Sequence, residues 1–205
     1  MSRSTLTVGD AIKNQGSLHV RSDDVEIPDA RVQDIVRDAI LHSPTPFNCQ
    51  SGRAVVLLKE EHNKFWDMAH EAAKASVAPP VFEKTFAPRI KMFRAAYGTI
   101  LFYESARALK ATEEKYPIVK DKIPQWSEHA SGMLQCAVWT MLTAEGLGVN
   151  LQHYNPMVDS GAAKQWNIPA EWSLKAQMVF GKPAGPRIVE KEFEPVEDKV
   201  MVFGA

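Results

Sequence analysis

Glu145-Gly146-Leu147-Gly148-Val149-Asn150-Leu151-Gln152-His153-Tyr154-Asn155-Pro156 is the stretch on which the fold turns. Before it lies the longest apolar helical pattern in the chain, about Trp126 to Glu145, with the stripe Met133, Leu134, Ala137, Val138, Met141 and Leu142. Gly146 and Gly148 close that helix, because glycine takes the left-handed backbone past a helix end at little cost. Val149 to His153 then reads as a strand. Gly146-Leu147-Gly148 fails the dinucleotide-binding pattern G-x-G-x-x-G at its last glycine and follows a helix rather than a strand. It is therefore a helix stop and not a phosphate loop.

Outward from that turn, helices and strands continue to mix. Ala162 to Trp166 reads as a short helix, and Leu174 to Phe180, Thr99 to Tyr103 and Arg53 to Leu58 as apolar strands. Helices are predicted from Thr7 to about Asn14, from Pro28-Asp29 to Ser43-Pro44, from about Glu61 to Ser76 and from Ser105 to Lys115. The second of these carries Val32, Ile35, Val36, Ala39 and Ile40 on one face. Pro79-Pro80 and Pro88 break the region between into short helices. The tail from Pro183 onward alternates in charge and ends in Val200-Met201-Val202-Phe203, four apolar residues able to pair as an edge strand. The pattern is that of one α/β or α+β domain over residues 1–205, with a C-terminal arm over about 183–205 that wraps a partner chain.

Lys and Arg number 24 against 25 Asp and Glu, a net charge of −1. That balance excludes a nucleic-acid binder acting through bulk charge and leaves room for one local basic pocket. Cys49 and Cys136 are too few for a disulfide scaffold, form no C-x-x-C and fit a reducing compartment. No apolar run reaches membrane-spanning length, and Met1-Ser2-Arg3-Ser4 lacks the apolar core of a signal peptide. A cytoplasmic protein without a membrane partner is expected. The six histidines are scattered, and His70-Glu71 is not completed to H-E-x-x-H, so no metal is expected. Neither a P-loop nor a G-x-S-x-G nucleophile elbow is present.

Three segments together resemble one family, the nitroreductase-like flavoproteins, in their short stand-alone fungal and bacterial branch. The first is Ser43-Pro44-Thr45-Pro46-Phe47-Asn48-Cys49-Gln50-Ser51-Gly52-Arg53. The second is Pro124-Gln125-Trp126-Ser127-Glu128-His129 with Gly132-Met133, Gln135 and Val138-Trp139-Thr140. The third is the opening stretch, Glu145 to Pro156. The likeness runs in order from Ala11 to Phe203. It implies an α+β fold, a mixed sheet flanked by helices, in a homodimer that exchanges terminal arms and holds FMN at each interface. It also implies that NAD(P)H supplies hydride to the flavin, which passes electron pairs to nitroaromatics, quinones or similar small-molecule acceptors.

Such a site needs two or three cationic or N–H donors for the FMN phosphate and a donor near N1 of the reduced ring. The resemblance assigns Asn48, Gln50 and Arg53 to the ring and ribityl chain, Ser17 and Lys199 to the phosphate end, and Gln152, His153 and Tyr154 to the far side of the ring. His153 and Tyr154 are the candidate catalytic residues. The plainer reading makes Asn48 and Gln50 loop caps and His153 and Tyr154 core closure.

One departure from the family bears on the cofactor. Asn14-Gln15-Gly16-Ser17 stands where the branch has N-R-R-S, and Asp198-Lys199-Val200-Met201-Val202 where it has E-R-V-K-V. Gln15, Gly16 and Met201 thus replace basic residues. A charge-assisted hydrogen bond contributes about 1.5–3 kcal/mol, so losing two or three weakens FMN binding by several decades. Two enzyme readings stay open: an FMN- and NAD(P)H-dependent oxidoreductase, or an FMN-independent enzyme of the same fold. The second would use the vacated cleft for a non-redox step on a small organic substrate. A non-catalytic binding paralogue is the third.

Overall fold

Residues 6–21, 25–187 and 191–204 are described in a computed structural model, which leaves residues 1–5, 22–24, 188–190 and 205 outside the description. The elements in chain order are α1 (Val8–Asn14), β1 (Leu18–Arg21), α2 (Asp29–His42), β2 (Gly52–Leu58), α3 (Lys59–Ser76), α4 (Pro79–Val81), α5 (Ala87–Arg94), β3 (Gly98–Ser105), α6 (Ala106–Lys115), α7 (Ile123–Ala144), β4 (Gly148–Gln152), α8 (Asp159–Gln165) and β5 (Trp172–Arg187). A π-helical turn, Phe82–Phe86, joins α4 to α5.

All eight residues of β3 are buried, which explains why Thr99 to Tyr103 reads as a continuous apolar run instead of an alternating one. On one side β3 pairs antiparallel with β2, from Gly52↔Glu104 to Leu58↔Gly98. On the other it pairs with β5, whose far side carries β4 and then β1 in succession. Alternate β3 side chains feed two cores. Leu101 and Tyr103 pack with Phe65, Trp66, Phe93 and Val179, while Ile100 and Phe102 pack with Val32, Ile35, Val138, Leu142 and Phe180. Helices α3 and α5 cover the first face and α2 and α7 the second. Each fully buried side chain of this size contributes about 1.5–3 kcal/mol over exposure.

The turn from α7 into β4 bears out the glycine reading. Gly146 has φ +81°, Gly146 N–H donates to Thr143 O at 3.0 Å and Leu147 N–H to Leu142 O at 3.1 Å. Gly148 acts instead through its missing side chain. A Cβ there would lie 2.7 Å from Val20 Cγ1, so its absence lets β1 lie against β4.

Four expectations change. Met133 is 44% exposed, and the buried stripe of α7 is Leu134, Val138 and Leu142. Strand β1 lies where no strand was expected; four residues are too few for a periodicity to register. Strand β5 is longer than Leu174 to Phe180 and extends to Arg187, pairing Pro183 with Val20. Val200 to Phe203 are exposed and unpaired among the described residues, not an edge strand within their own chain.

Candidate active site

The expected site residues fall into three groups, separated by the fold. The first is the loop from Thr45 to Arg53, between α2 and β2. Phe47, Asn48 and Gln50 all have positive φ, 52°, 55° and 49°. Left-handed backbone at a non-glycine residue persists only where its surroundings enforce it. Here Thr45 does much of that: its carbonyl accepts from Asn48 N–H at 3.0 Å and its hydroxyl from Gln50 N–H at 3.0 Å. Phe47 stacks on Tyr116 at 4.0 Å, with the rings 17° apart. The Arg53 guanidinium donates to Gln50 O at 2.7 Å and Gly52 O at 2.8 Å, and so serves as a clasp for the loop.

Bound up this way, the loop presents Asn48 and Gln50 as exposed side chains with no hydrogen bond among the described residues. Beneath it is a cavity of about 90 Å³ lined in part by Ser43, Gln50, Arg53 and Glu104. Ser43 Oγ is buried there with no partner. Glu104, 2% exposed, accepts from Ser127 Oγ at 2.9 Å and from Ser51, and burial raises its carboxyl above the usual range.

The second group is the end of β4 and the residues just beyond it. Gln152 Nε2 donates to Asn150 Oδ1 at 2.5 Å and Leu151 O at 2.8 Å. Gln177 Oε1 accepts from Tyr154 N–H at 2.6 Å, and Gln177 Nε2 donates to Asn155 Oδ1 at 3.0 Å. This chain of amides fixes the backbone that carries His153 outward and Tyr154 inward. The Tyr154 ring lies edge-on to Trp66 and Phe93, and burial pushes its phenol up to about 12. Gln152, His153 and Tyr154 line a pocket of about 200 Å³ that Thr85, Phe86 and Arg89 complete from the π-turn and α5. Ser17 sits nearby through a backbone bridge to Val149.

The third group is the arm. Lys199 Nζ is paired with Glu194 Oε2 at 2.6 Å, and Met201 is 81% exposed. No hydrogen bond or ring contact joins the three groups among the described residues.

The donor set accordingly fits one end of FMN. Free amides at Asn48 and Gln50, with the orphaned Ser43 hydroxyl below them, suit the ring and ribityl chain. At the phosphate end the Gln15 amide is turned inward to Thr140 Oγ1 at 2.6 Å, and Lys199 is already paired with a carboxylate. Ser17 remains there as a hydroxyl donor.

Glu104 and Arg89 escaped the sequence reading. A single acid at the end of an apolar strand is a usable signal of burial; an arginine after Pro88 on a short helix carries none. Among the described residues no cluster of three metal-ligating side chains forms, and no helix is long and apolar enough to cross a membrane.

A sequence model of the nitroreductase family matches residues 22–182. HBN1 of Saccharomyces cerevisiae is 36% identical over 155 residues, 76% of each chain. The solved nitroreductase CinD of Lactococcus lactis, in complex with chloramphenicol, is 35% identical and superposes with a TM-score of 0.87 over 96% of this chain and all of that one. A Desulfovibrio desulfuricans protein solved with FMN shares the fold at 19% identity and a TM-score of 0.67, over 98% of both chains. Family match, relatives and fold agree: the chain belongs to the nitroreductase family.

Proposed function

We propose that the protein is an oxidoreductase that uses FMN and NAD(P)H to reduce nitroaromatic, quinone or related small-molecule acceptors, and that it works as a homodimer. The observation that carries the reading is the division of the site. Among the described residues the Gln50 amide lines one cavity, and Gln152, His153 and Tyr154 line another. A second copy is the economical way to bring them together. The arm supplies the means: Val200, Met201, Val202 and Phe203 are 59%, 81%, 71% and 89% exposed. A groove of about 630 Å³ beside the edge strand β2, lined by Val36, Ile40, Leu41, Ala54 and Val56 among others, is apolar enough to seat them.

The relatives support the chemistry. CinD binds chloramphenicol and, in a separate structure, 4-nitrophenol, and the Desulfovibrio neighbour binds FMN. When bound, FMN would supply the two-electron transfer between NAD(P)H and acceptor. The chain's part is to bind and orient. Asn48 and Gln50 would hold the ring and ribityl chain on a loop kept in shape by Arg53. Ser17 and Lys199 would meet the phosphate, Lys199 after leaving Glu194. Gln152 would line the ring's far side, where Tyr154 offers a phenol and His153 an exposed imidazole.

The inward-turned Gln15 amide favours a second reading, an enzyme of this fold that works without FMN on a small organic substrate in the same cleft. Acceptor-dependent NAD(P)H oxidation with added FMN tests the first. The Asn48→Ala/Gln50→Ala double variant should lower kcat/KM at least about ten-fold, the loss of one or two hydrogen bonds. No acceptor-dependent oxidation by the wild type would leave the second reading.

A further inference from the structure

The 200 Å³ pocket beside Tyr154 is lined by one arginine, Arg89, and by no carboxylate. Arg31, Arg37 and Arg94 are each paired with a carboxylate, from Glu145, Asp34 and Asp67. Arg89 has no such partner among the described residues, and no Asp or Glu lines its pocket. Its guanidinium is the charge that acts on the Tyr154 phenol. The Tyr154 hydroxyl also makes no hydrogen bond to a described residue, although its ring is held among Trp66, Phe86 and Phe93. The π-turn, closed by Ala87 N–H to Phe82 O, sets Phe86 and Arg89 on the same wall. Arg89 and Tyr154 therefore line one pocket together with the apolar Phe86 and Met157.

We propose that this pocket takes the carboxylate of a small aromatic acid, with Arg89 selecting anionic acceptors over neutral ones. A guanidinium fork matches a carboxylate through two parallel N–H donors, and the phenol supplies a third. The ring of the ligand lies on Phe86 and Met157. The volume is below the range of about 300–1,000 Å³ usual for larger ligands, which suits one aromatic ring and not a dinucleotide. As a statement about the acceptor, the inference rests on the oxidoreductase reading above; as a statement about binding, it does not.

Calorimetric titration of the purified protein with benzoate and with benzamide tests it, using wild type, Arg89→Gln and Arg89→Lys. Benzoate should bind about ten-fold more tightly than benzamide; Arg89→Gln should abolish the preference and Arg89→Lys should keep part of it. In turnover, the ratio of kcat/KM for 4-nitrobenzoate to that for nitrobenzene should fall by a similar factor in Arg89→Gln. A benzoate preference that survives Arg89→Gln overturns the inference. So does a variant that loses affinity only for NADPH, which would assign Arg89 to the nucleotide. If Arg89-dependent benzoate binding holds while no NAD(P)H oxidation occurs, the anion site stands and the oxidoreductase reading falls.

Discussion

The Gln15 side-chain amide donates to Thr140 Oγ1 at 2.6 Å, tying the end of α1 to α7. Thr140 donates its own hydroxyl proton to Cys136 O at 2.7 Å, so this corner is knit internally and contributes no charge.

Flavin phosphate should accordingly add little affinity. Wild-type protein is expected to bind FMN less than about ten-fold more tightly than riboflavin, since the Ser17 hydroxyl contributes about 1 kcal/mol and Lys199 must first give up its pairing with Glu194. Restoring Gln15→Arg, Gly16→Arg and Met201→Lys together should widen that ratio to at least about a hundred-fold. Fluorescence titration of both flavins into both proteins measures it, and an unchanged ratio would put the phosphate elsewhere.

His62 makes a second prediction. Its ring is 1% exposed between Thr99 Oγ1 and Arg94 O, and burial lowers it to about 4. The unfolded chain then binds the extra proton first as pH falls. Stability from this group is full above about 6.5 and is lost progressively down to about 4, in all about 3 kcal/mol. Urea unfolding of wild type and His62→Gln at pH 7 and pH 4.5 should show a flatter dependence in the variant.

Glu104 acts in the opposite sense. Its carboxyl is raised, so the folded state holds the proton longer, and stability from this group falls as pH rises from 4.5 to the raised value. Glu104→Gln should therefore raise Tm at pH 7.5 and have a smaller effect near pH 4.5. Glu104→Leu should lower it at both, because the Ser51 and Ser127 hydroxyls would lose their acceptor at about 1–3 kcal/mol each.

The stack of Phe47 on Tyr116 should control the shape of the loop more than the stability of the fold. Phe47→Ala is expected to cost about 1 kcal/mol in urea unfolding, within the range for an aromatic pair. Flavin affinity should fall further than that, as Asn48 and Gln50 lose their fixed backbone. A double-mutant cycle with Tyr116→Ala separates the stack from side-chain loss.

Much of this was legible in the sequence. Period-3.6 stripes at Val32 to Ile40 and the long apolar run ahead of Gly146 mark helices because burial is one-sided, and Thr99 to Tyr103 marks a strand because its burial is two-sided. Local glycine chemistry also showed where α7 stops. Strand β1 did not show, because Leu18 to Arg21 is a strand only through its pairing with β5. Arg89 and Glu104 escaped for the same reason: one matters for the carboxylate it lacks, the other for the serines that reach it, and neither relation is local in sequence. The arm is the opposite case. Its apolar end was plain in Val200 to Phe203, and those side chains stay exposed on their own chain.

The most direct test of the flavin account is the visible spectrum of the purified protein titrated with FMN, reduced with NAD(P)H without oxygen and then given 4-nitrobenzoate. The account predicts uptake of about one FMN per chain in a dimer, bleaching by NAD(P)H and return of colour with the acceptor. A colourless protein that excludes excess FMN, or bound flavin that NAD(P)H does not bleach, would contradict it.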